Sequence, residues 1–362
     1  MQITLDKSYF ATFSTKNGEK YGLRLGEPDD AHQLNQIFHE IYEYNYVDPE
    51  VYDISKLKKH IASDKTYWFI GEKFESTKTI MVGAGLMEIV NYFTAIAEKL
   101  VIRPDYRGLG LASEMGALGI LNILKLPAFK DILRLNAESR AESKGAQAIM
   151  ENTGGTAFGF NPIYATWGDR RILNGKSKKP YMKGKPIPVI FYIRPINKFW
   201  KKRHNVVYLL NDEDVFYFYE YIIKSNRKMK RHDLSVMMGD SKIKWHNMQL
   251  YENKSFGSVH LEGCIHDIML KMYLRKYIKW RYIDWRIPTT EQGIHSMKLA
   301  KDNGFKVIGY DFGSIIDPNG NLTDSVLYAY FPKKLKLSPF ETLDVIKKCK
   351  PLVNRVLDSL NN

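Results

Sequence analysis

Residues 98 to 112, Glu-Lys-Leu-Val-Ile-Arg-Pro-Asp-Tyr-Arg-Gly-Leu-Gly-Leu-Ala, constrain the fold of this chain more than any other stretch. An apolar strand signal stops at Pro104. A loop with glycines at 108 and 110 then leads into a helix pattern from near Gly110 to about Leu124, with Leu111, Met115, Leu118 and Leu121 on one side. Backbone N–H groups at a helix N-terminus lack internal partners and carry the positive end of the helix dipole, so the join is a natural anion site. Glycine lets a pyrophosphate approach the main chain without meeting a β-carbon, and Arg107 adds a charged donor. The third glycine of a G-x-G-x-x-G dinucleotide loop is absent, and so is a Walker A loop.

The elements around this segment read as mixed α/β. Tyr21 to Leu25 predicts a strand, and Leu34, Ile37, Phe38 and Ile41 recur at helical spacing after Glu27-Pro-Asp-Asp30. Thr66 to Gly71, Thr79 to Val90 and Ala95 to Ile102 predict a three-strand antiparallel meander. Asp131 to Glu138 follows as a strand, Ser143 to Glu151 as a helix and Phe158 to Trp167 as an extended piece, giving a sheet covered on both faces.

A chain of 362 residues favours two domains. The basic stretch from Arg170 to Pro188 has no apolar periodicity and predicts a connection, so the division is 1–170, a linker at 171–188, and 189–362 with a C-terminal helix. The second half repeats the outline of the first. It opens with the strand Asn205 to Leu210 and an aromatic helix through Phe216, Tyr219 and Ile222. It closes with a helix carrying Ile294, Met297 and Ala300, then Asn303-Gly-Phe305 and the strand Lys306 to Phe312. The pattern is that of a degenerate tandem duplication.

Arg107, Gly110 and Ala112 match R/Q-x-x-G-x-G/A, and on these residues and the order of elements the stretch from about 20 to 168 resembles the GCN5-related N-acetyltransferase (GNAT) superfamily. The resemblance implies two GNAT-like domains, each a mixed, mostly antiparallel sheet flanked by helices, the second degenerate. It implies that acetyl-CoA or another acyl-CoA is held by the main chain of Leu100, Val101, Ile102 and Arg103 and by Arg107, Gly108, Leu109, Gly110, Leu111 and Ala112. It also implies an acetyltransferase in which a primary amine, on a small molecule or a protein, attacks the acyl group directly. The segment Lys276 to Ile287 runs into Pro288 and Thr289 without a glycine loop, so one CoA per chain is expected.

An ammonium must lose a proton before it attacks, which calls for a carboxylate. Glu88, Glu98 and Glu138 are the strand candidates, and Glu98 is preferred as nearest in sequence to the expected thioester. The resemblance implies a tyrosine after the fourth helix as the acid. Tyr164 is the nearest, although it follows Gly159-Phe160 and the helix Gln147 to Asn152 contains none. Tyr42 and Tyr44, alternating with Glu43 and Asn45 beside Tyr46, are expected on the acceptor wall, where aromatic and acidic groups suit a cationic amine.

The net charge of +14 is concentrated around Arg170, Arg171, Lys176 to Lys185, Lys198 to Arg203 and Arg227 to Arg231. These runs supply the alternative reading: an inactive GNAT-fold module that binds nucleic acid or an acidic partner, with Phe199 and Trp200 stacking on bases. It is the less favoured one, since no nucleic-acid motif accompanies the charge. His260, Glu262, Cys264 and His266 share a strand face, but a row along one strand suits a tetrahedral shell poorly, so no metal is expected. Only Cys264 and Cys349 occur, no signal peptide is evident, and no apolar run approaches the ~20 residues that span a bilayer. A cytoplasmic protein without a membrane role is the expectation.

Overall fold

The computed structural model describes residues 8–169, 184–226, 228–229, 235–238, 247–317, 319–336, 340 and 343–361. Most of the two basic runs at 170–183 and 227–231 lies outside them. Among the described residues the first half reads β1 (Ala11–Ser14), β2 (Lys20–Leu25), α1 (Ala31–Tyr42), α2 (Ile54–Ile61), β3 (Thr66–Phe74), β4 (Thr79–Ile89), β5 (Thr94–Ile102), α3 (Leu111–Ile123), β6 (Arg134–Arg140), α4 (Lys144–Asn152), β7 (Thr156–Thr166) and β8 (Pro186–Pro195). The second half reads α5 (Phe199–Lys202), β9 (Val206–Leu209), α6 (Glu213–Ser225), β10 (Ser235–Met238), β11 (Asn247–Asn253), β12 (Ser258–Cys264), α7 (Asp267–Lys276), β13 (Tyr282–Pro288), α8 (Glu291–Asp302), β14 (Lys306–Ile316), β15 (Leu322–Tyr330) and α9 (Lys350–Asn361).

Thirteen of these strands form one mixed sheet in the order β1-β2-β3-β4-β5-β6-β8-β7-β14-β15-β13-β12-β11. Most neighbours are antiparallel, and β5–β6 and β12–β13 are parallel. The alternation along β3 shows how both faces are covered. Trp68 and Ile70 pack with Leu34, Ile37, Phe38 and Leu57 of α1 and α2, while Phe69 belongs to the other core with Leu111, Met115 and Ile120 of α3. On α3 the buried stripe is Leu111, Met115, Gly119, Ile120 and Ile123, whereas Leu121, expected inward, is exposed. A β-carbon on Gly119 would sit 2.8 Å from the Phe69 ring, so glycine there sets the close approach of α3 to the sheet.

Several features of the two halves match at a spacing of 150. Gly154 and Gly304 end α4 and α8 in the left-handed conformation, at φ 88° and 80°. Their N–H groups bond Glu151 O and Lys301 O, and those of Gly155 and Phe305 bond Met150 O and Ala300 O. The β7–β8 ladder shifts register between Ala157 and Gly159 and again between Asn161 and Ala165. The β14–β15 ladder does so between Val307 and Gly309 and between Asp311 and Ile315. The halves meet where Gly159 pairs with Gly309. A β-carbon on Gly309 would lie 2.5 Å from Phe158 O, so the seam needs glycine. Helices α6 and α9 lie across it, with Leu352, Val353 and Val356 buried.

Two features differ from the sequence reading. The strand 186–195 spans the expected linker and the start of the expected second domain, yet β8 inserts between β6 and β7 and completes the first half. Its run Ile187 to Ile193 is buried throughout, which a basic lead-in conceals. The segment Lys276 to Ile287 is not one strand: α7 ends at Lys276 and β13 begins at Tyr282. The counterpart of the β5-to-α3 loop is therefore the β12-to-α7 join.

Candidate active site

The parallel pair β5 and β6 is in register from Thr94↔Arg134 to Ala97↔Ala137 and then parts. The cause lies in β5, where the β4 ladder jumps from Leu86↔Glu98 to Ala84↔Val101 and Lys99 takes φ 55°. A bulge of this kind bends its strand, and a left-handed non-glycine residue costs on the order of 1–3 kcal/mol. Lys99 is held there by ion pairs from its Nζ to Glu98 and, at 3.2 Å, to Asp48. The facing edges, Glu98 to Leu100 and Glu138 to Arg140, line a cavity of about 230 Å³ whose other walls include Gly116, Ile120, Ile149 and Met150 of α3 and α4.

Helix α3 meets this cavity at Gly116 and Ile120. Gly116 stands six residues after Gly110, about 9 Å at helical rise. Gly108 and Gly110 both have φ 79°, Gly110 is the N-cap, and a β-carbon on either would project into open space. The residues present fit a CoA-type ligand: left-handed glycines open on their outer side, an exposed Arg107, and a helix N-terminus where the Leu111 and Ala112 N–H groups precede the first intrahelical bonds, those of Ser113 and Glu114 to Gly110 O. Leu109 is exposed, Leu111 is core, Ala112 is half-buried and Arg107 Nε rests 3.3 Å from Ile102 O. Of the strand residues expected to meet the ligand, Leu100 lines the cavity. Val101 and Ile102 are buried against Ala84 and Gly83, and Arg103 Nε lies 3.5 Å from Glu40.

Glu138 stands where three cavities meet, since it lines the first, a second of about 200 Å³ and a third of about 360 Å³. Its side chain is exposed to water through them, although surrounding protein atoms crowd the carboxyl. Tyr164 Oη donates a 2.5 Å hydrogen bond to Glu138 Oε1. Burial, aided by the charges of Glu98 and Asp284, pushes the Glu138 carboxyl up to about 7, against the Tyr164 hydrogen bond and the His260 charge, which pull it down. Burial and the adjacent Glu138 hold the Tyr164 phenol far above its usual value. Glu98 also lines the first and third cavities but is paired with Lys99, and Glu88 pairs with His60 at 3.7 Å. The His60 contact keeps the Glu88 carboxyl below its ordinary value.

Tyr42 reaches the first cavity and stacks on Trp167 at 6.1 Å, with the Arg140 guanidinium 4.2 Å from the Trp167 ring and 5.2 Å from Tyr42. Tyr44 turns away and packs on His39 and Tyr52, while Tyr46 lines the cavity in its stead. The site therefore brings together Glu98, Leu100, Tyr42, Glu138 and Tyr164, and leaves Tyr44 out. Sequence reasoning weighed Glu138 and preferred Glu98 as nearest in sequence to the expected thioester; the pairing of Glu138 with Phe191 of β8 was not legible there.

Pairing partners define the counterparts in the second half. Ala137 and Glu138 pair with Tyr192 and Phe191, and Trp285 and Arg286 pair with Tyr328 and Leu327. Trp285, fully buried with its Nε1 donating to Gly263 O at 2.9 Å, stands where the first half has Ala137. Arg286 replaces Glu138 and bonds Glu262 at 3.4 Å, so β12 and β13 stay paired through Glu262↔Arg286. Only Ile265 and His266 separate β12 from α7, with no glycine.

The basic segment after β8 is largely structural. Phe199 is fully buried against Phe312, Trp200 stacks on Phe312 at 6.1 Å, and Arg203 is buried in an ion pair with Asp324. Lys198, Lys201 and Lys202 remain exposed. His260 and Glu262 face a cavity while Cys264 is buried, and among the described residues no group of His, Cys, Asp and Glu could hold a metal ion. No described helix is long and apolar enough to cross a membrane.

No family model matches the chain, and no curated protein does. Over about half its length it is similar to solved structures of GNAT acetyltransferases. One is RimL, a ribosomal L7/L12 α-N-protein acetyltransferase in complex with coenzyme A (14% identity, 52% of this chain and 99% of that one, TM-score 0.38). Others are the ribosomal-protein-S5-alanine acetyltransferase from Vibrio fischeri (13%, 51% and 96%, 0.37) and spermidine N-acetyltransferase from Vibrio cholerae with CoA and spermine (16%, 48% and 95%, 0.35).

Proposed function

We propose that the chain is an acyl-CoA-dependent N-acyltransferase, with acetyl-CoA as donor and a primary amine as acceptor, working from its first half. The observation that carries this reading is the parting of β5 and β6 after Ala97 and Ala137, which opens a cavity between the middle of the helix that follows the glycine loop and the Glu138 carboxyl. Bound there, acyl-CoA supplies an acyl thioester. The N–H groups and dipole at the start of α3, with Arg107, bind its pyrophosphate, and the unpaired edge of β5 at Glu98 to Leu100 orients its thiol arm.

Glu138 Oε accepts the proton of the incoming ammonium, directly or through a water in the cleft. A carboxyl held near 7 is a far better acceptor at neutral pH than one at the ordinary value of 4.5. Tyr164 Oη, protonated throughout the physiological range, fixes Glu138 by hydrogen bond and, adjoining the cleft through that carboxyl, serves as the proton donor to the departing thiolate. Glu98 acts on this reading as a clamp on Lys99 that keeps β5 bent, in place of the base role assigned from sequence. Residues through β8 form the catalytic unit and the remainder a second unit without its own donor site. Burial of Phe199 and Arg203 counts against the nucleic-acid alternative.

Isothermal titration with acetyl-CoA tests the reading beside an Arg107→Ala, Gly110→Glu variant. Micromolar affinity at one site per chain, lost in the variant, is the expected result. No heat with acetyl-CoA, longer acyl-CoAs or free CoA removes the proposal.

A further inference from the structure

The cavity of about 200 Å³ has walls from both halves. Ile96 of β5 and His260 of β12 both line it, although these strands stand seven places apart in the sheet, roughly 33 Å if it were flat. The sheet therefore curls until its two parallel pairs face one another. Ala137 and Glu138 line this cavity and the donor cavity alike, so the two adjoin at the carboxylate.

Its floor is apolar: Phe158, Phe191, Leu261 and Leu327 are each at most 9% exposed. The charged groups of its far wall are already matched. His260 Nδ1 lies 2.7 Å from Asp284, its Nε2 lies 3.0 Å from Ser258 Oγ, and Arg286 meets Glu262. Ser258 is fully buried, so this Ser-His-Asp row offers no reachable nucleophile; it locks the imidazole in place as wall. Glu138 is different, because among the described residues its polar contact is a neutral phenol and it has no ion-pair partner. A lone carboxylate beside an apolar floor is complemented by one cation on an apolar body. The volume equals that of on the order of seven waters, which suits a small molecule.

We propose that this cavity is the acceptor site, that it takes a small primary amine with an apolar body, and that the second half supplies its far wall through Tyr251 and His260. The assignment as acceptor site rests on the acyl-transfer reading above. The ammonium sits at Glu138, next to the donor cavity, and the body extends over Phe158 and Phe191 toward Leu327. The second half is thus a substrate wall, and Trp285 and Arg286 have closed its own cleft for that purpose.

Titration calorimetry on the full chain with n-pentylamine, ethylamine and 1-pentanol tests the site, with acetyl-CoA titrated separately. Pentylamine is expected to bind at least about tenfold tighter than ethylamine, which lacks most of the body, and than pentanol, which lacks the charge. Tyr251→Ala and His260→Gln should weaken pentylamine by about fivefold or more while acetyl-CoA affinity stays unchanged. Equal binding of the three probes overturns the inference, as does wild-type affinity in both variants. A chain that shows the pentylamine pattern but binds no acetyl-CoA upholds the amine site and sinks only the acyl-donor reading.

Discussion

Tyr164 of β7 donates a 2.5 Å hydrogen bond to Glu138 of β6 across the intervening β8, tying a phenol that stays protonated to a carboxyl pushed up to about 7. If Glu138 takes the acceptor's proton, Glu138→Gln lowers kcat by about 10²–10⁴-fold with little change in acetyl-CoA affinity. Steady-state rates beside donor titration separate the two, and a variant with wild-type kcat would remove Glu138 from the mechanism.

The same carboxyl makes stability depend on pH. In the folded chain it keeps its proton up to about 7, whereas its ordinary value is 4.5, so the folded state binds more protons across that window. Its contribution is fully present below about 4.5 and is lost as pH rises through about 7. Glu138→Gln, which cannot ionise, should therefore raise Tm relative to wild type more at pH 8 than at pH 5, as thermal melts at the two pH values would show.

Tyr164→Phe removes a hydrogen bond that favours the charged form of Glu138, so the carboxyl moves further up. The acidic limb of kcat/KM, expected near pH 7, shifts to higher pH in this variant. Glu98, His260 and Asp284 also act on Glu138 and remain in place. In Glu138→Gln the limb vanishes and only the rise from the amine's own deprotonation is left. An unshifted limb in Tyr164→Phe would mean that the observed titration belongs to another group.

Much of the first half was legible because its signals are local. Pro104, Gly108 and Gly110 announce a strand end, a loop and a helix start within seven residues, and the α1 stripe reads directly as a face. What escaped was non-local. β8 is apolar from Ile187 to Ile193, but only its insertion between β6 and β7 reveals which half owns it. Glu138 and Glu98 look alike as strand glutamates; they differ because Lys99, turned by the β5 bulge, pairs with one, while the other forms no ion pair among the described residues. Tyr44 follows the same two-residue alternation as Tyr42 and Tyr46, yet α1 ends at Tyr42 and Glu43 takes φ 52°, which breaks the alternation. The repeat of Gly154 and Gly159 as Gly304 and Gly309 was readable in principle as a spacing of 150, and it marks where the two halves touch.

Asp324 is the best-connected buried acid of the second half. It accepts from Arg203 Nε at 2.7 Å and from Nη2, from Tyr310 Oη at 2.6 Å and from Gly313 N at 2.8 Å. Asp324→Asn leaves Arg203 charged and uncompensated in the core, an expected loss of about 3–5 kcal/mol by urea unfolding. Replacing both partners, Arg203→Met with Asp324→Leu, should recover a large part of that loss, since burying the pair also carries a desolvation cost. If the single and double variants were equally unstable, the loss would come from the Tyr310 and Gly313 contacts instead.

A Trp285 variant tests whether the second half could hold a donor of its own. Trp285 fills the position of Ala137, packs on Phe305 at 5.8 Å and anchors its indole to Gly263 O. Trp285→Ala removes one of the largest fully buried side chains and should cost about 3–5 kcal/mol, read as a fall in the urea midpoint. It should not create a second donor site, because β12 and β13 stay paired through Glu262↔Arg286 and the two-residue join to α7 holds no glycine loop for a pyrophosphate. Calorimetry on the variant is therefore expected to keep one acetyl-CoA per chain. A stoichiometry of two would show that the tryptophan alone keeps the second cleft closed and that the missing loop is dispensable for binding.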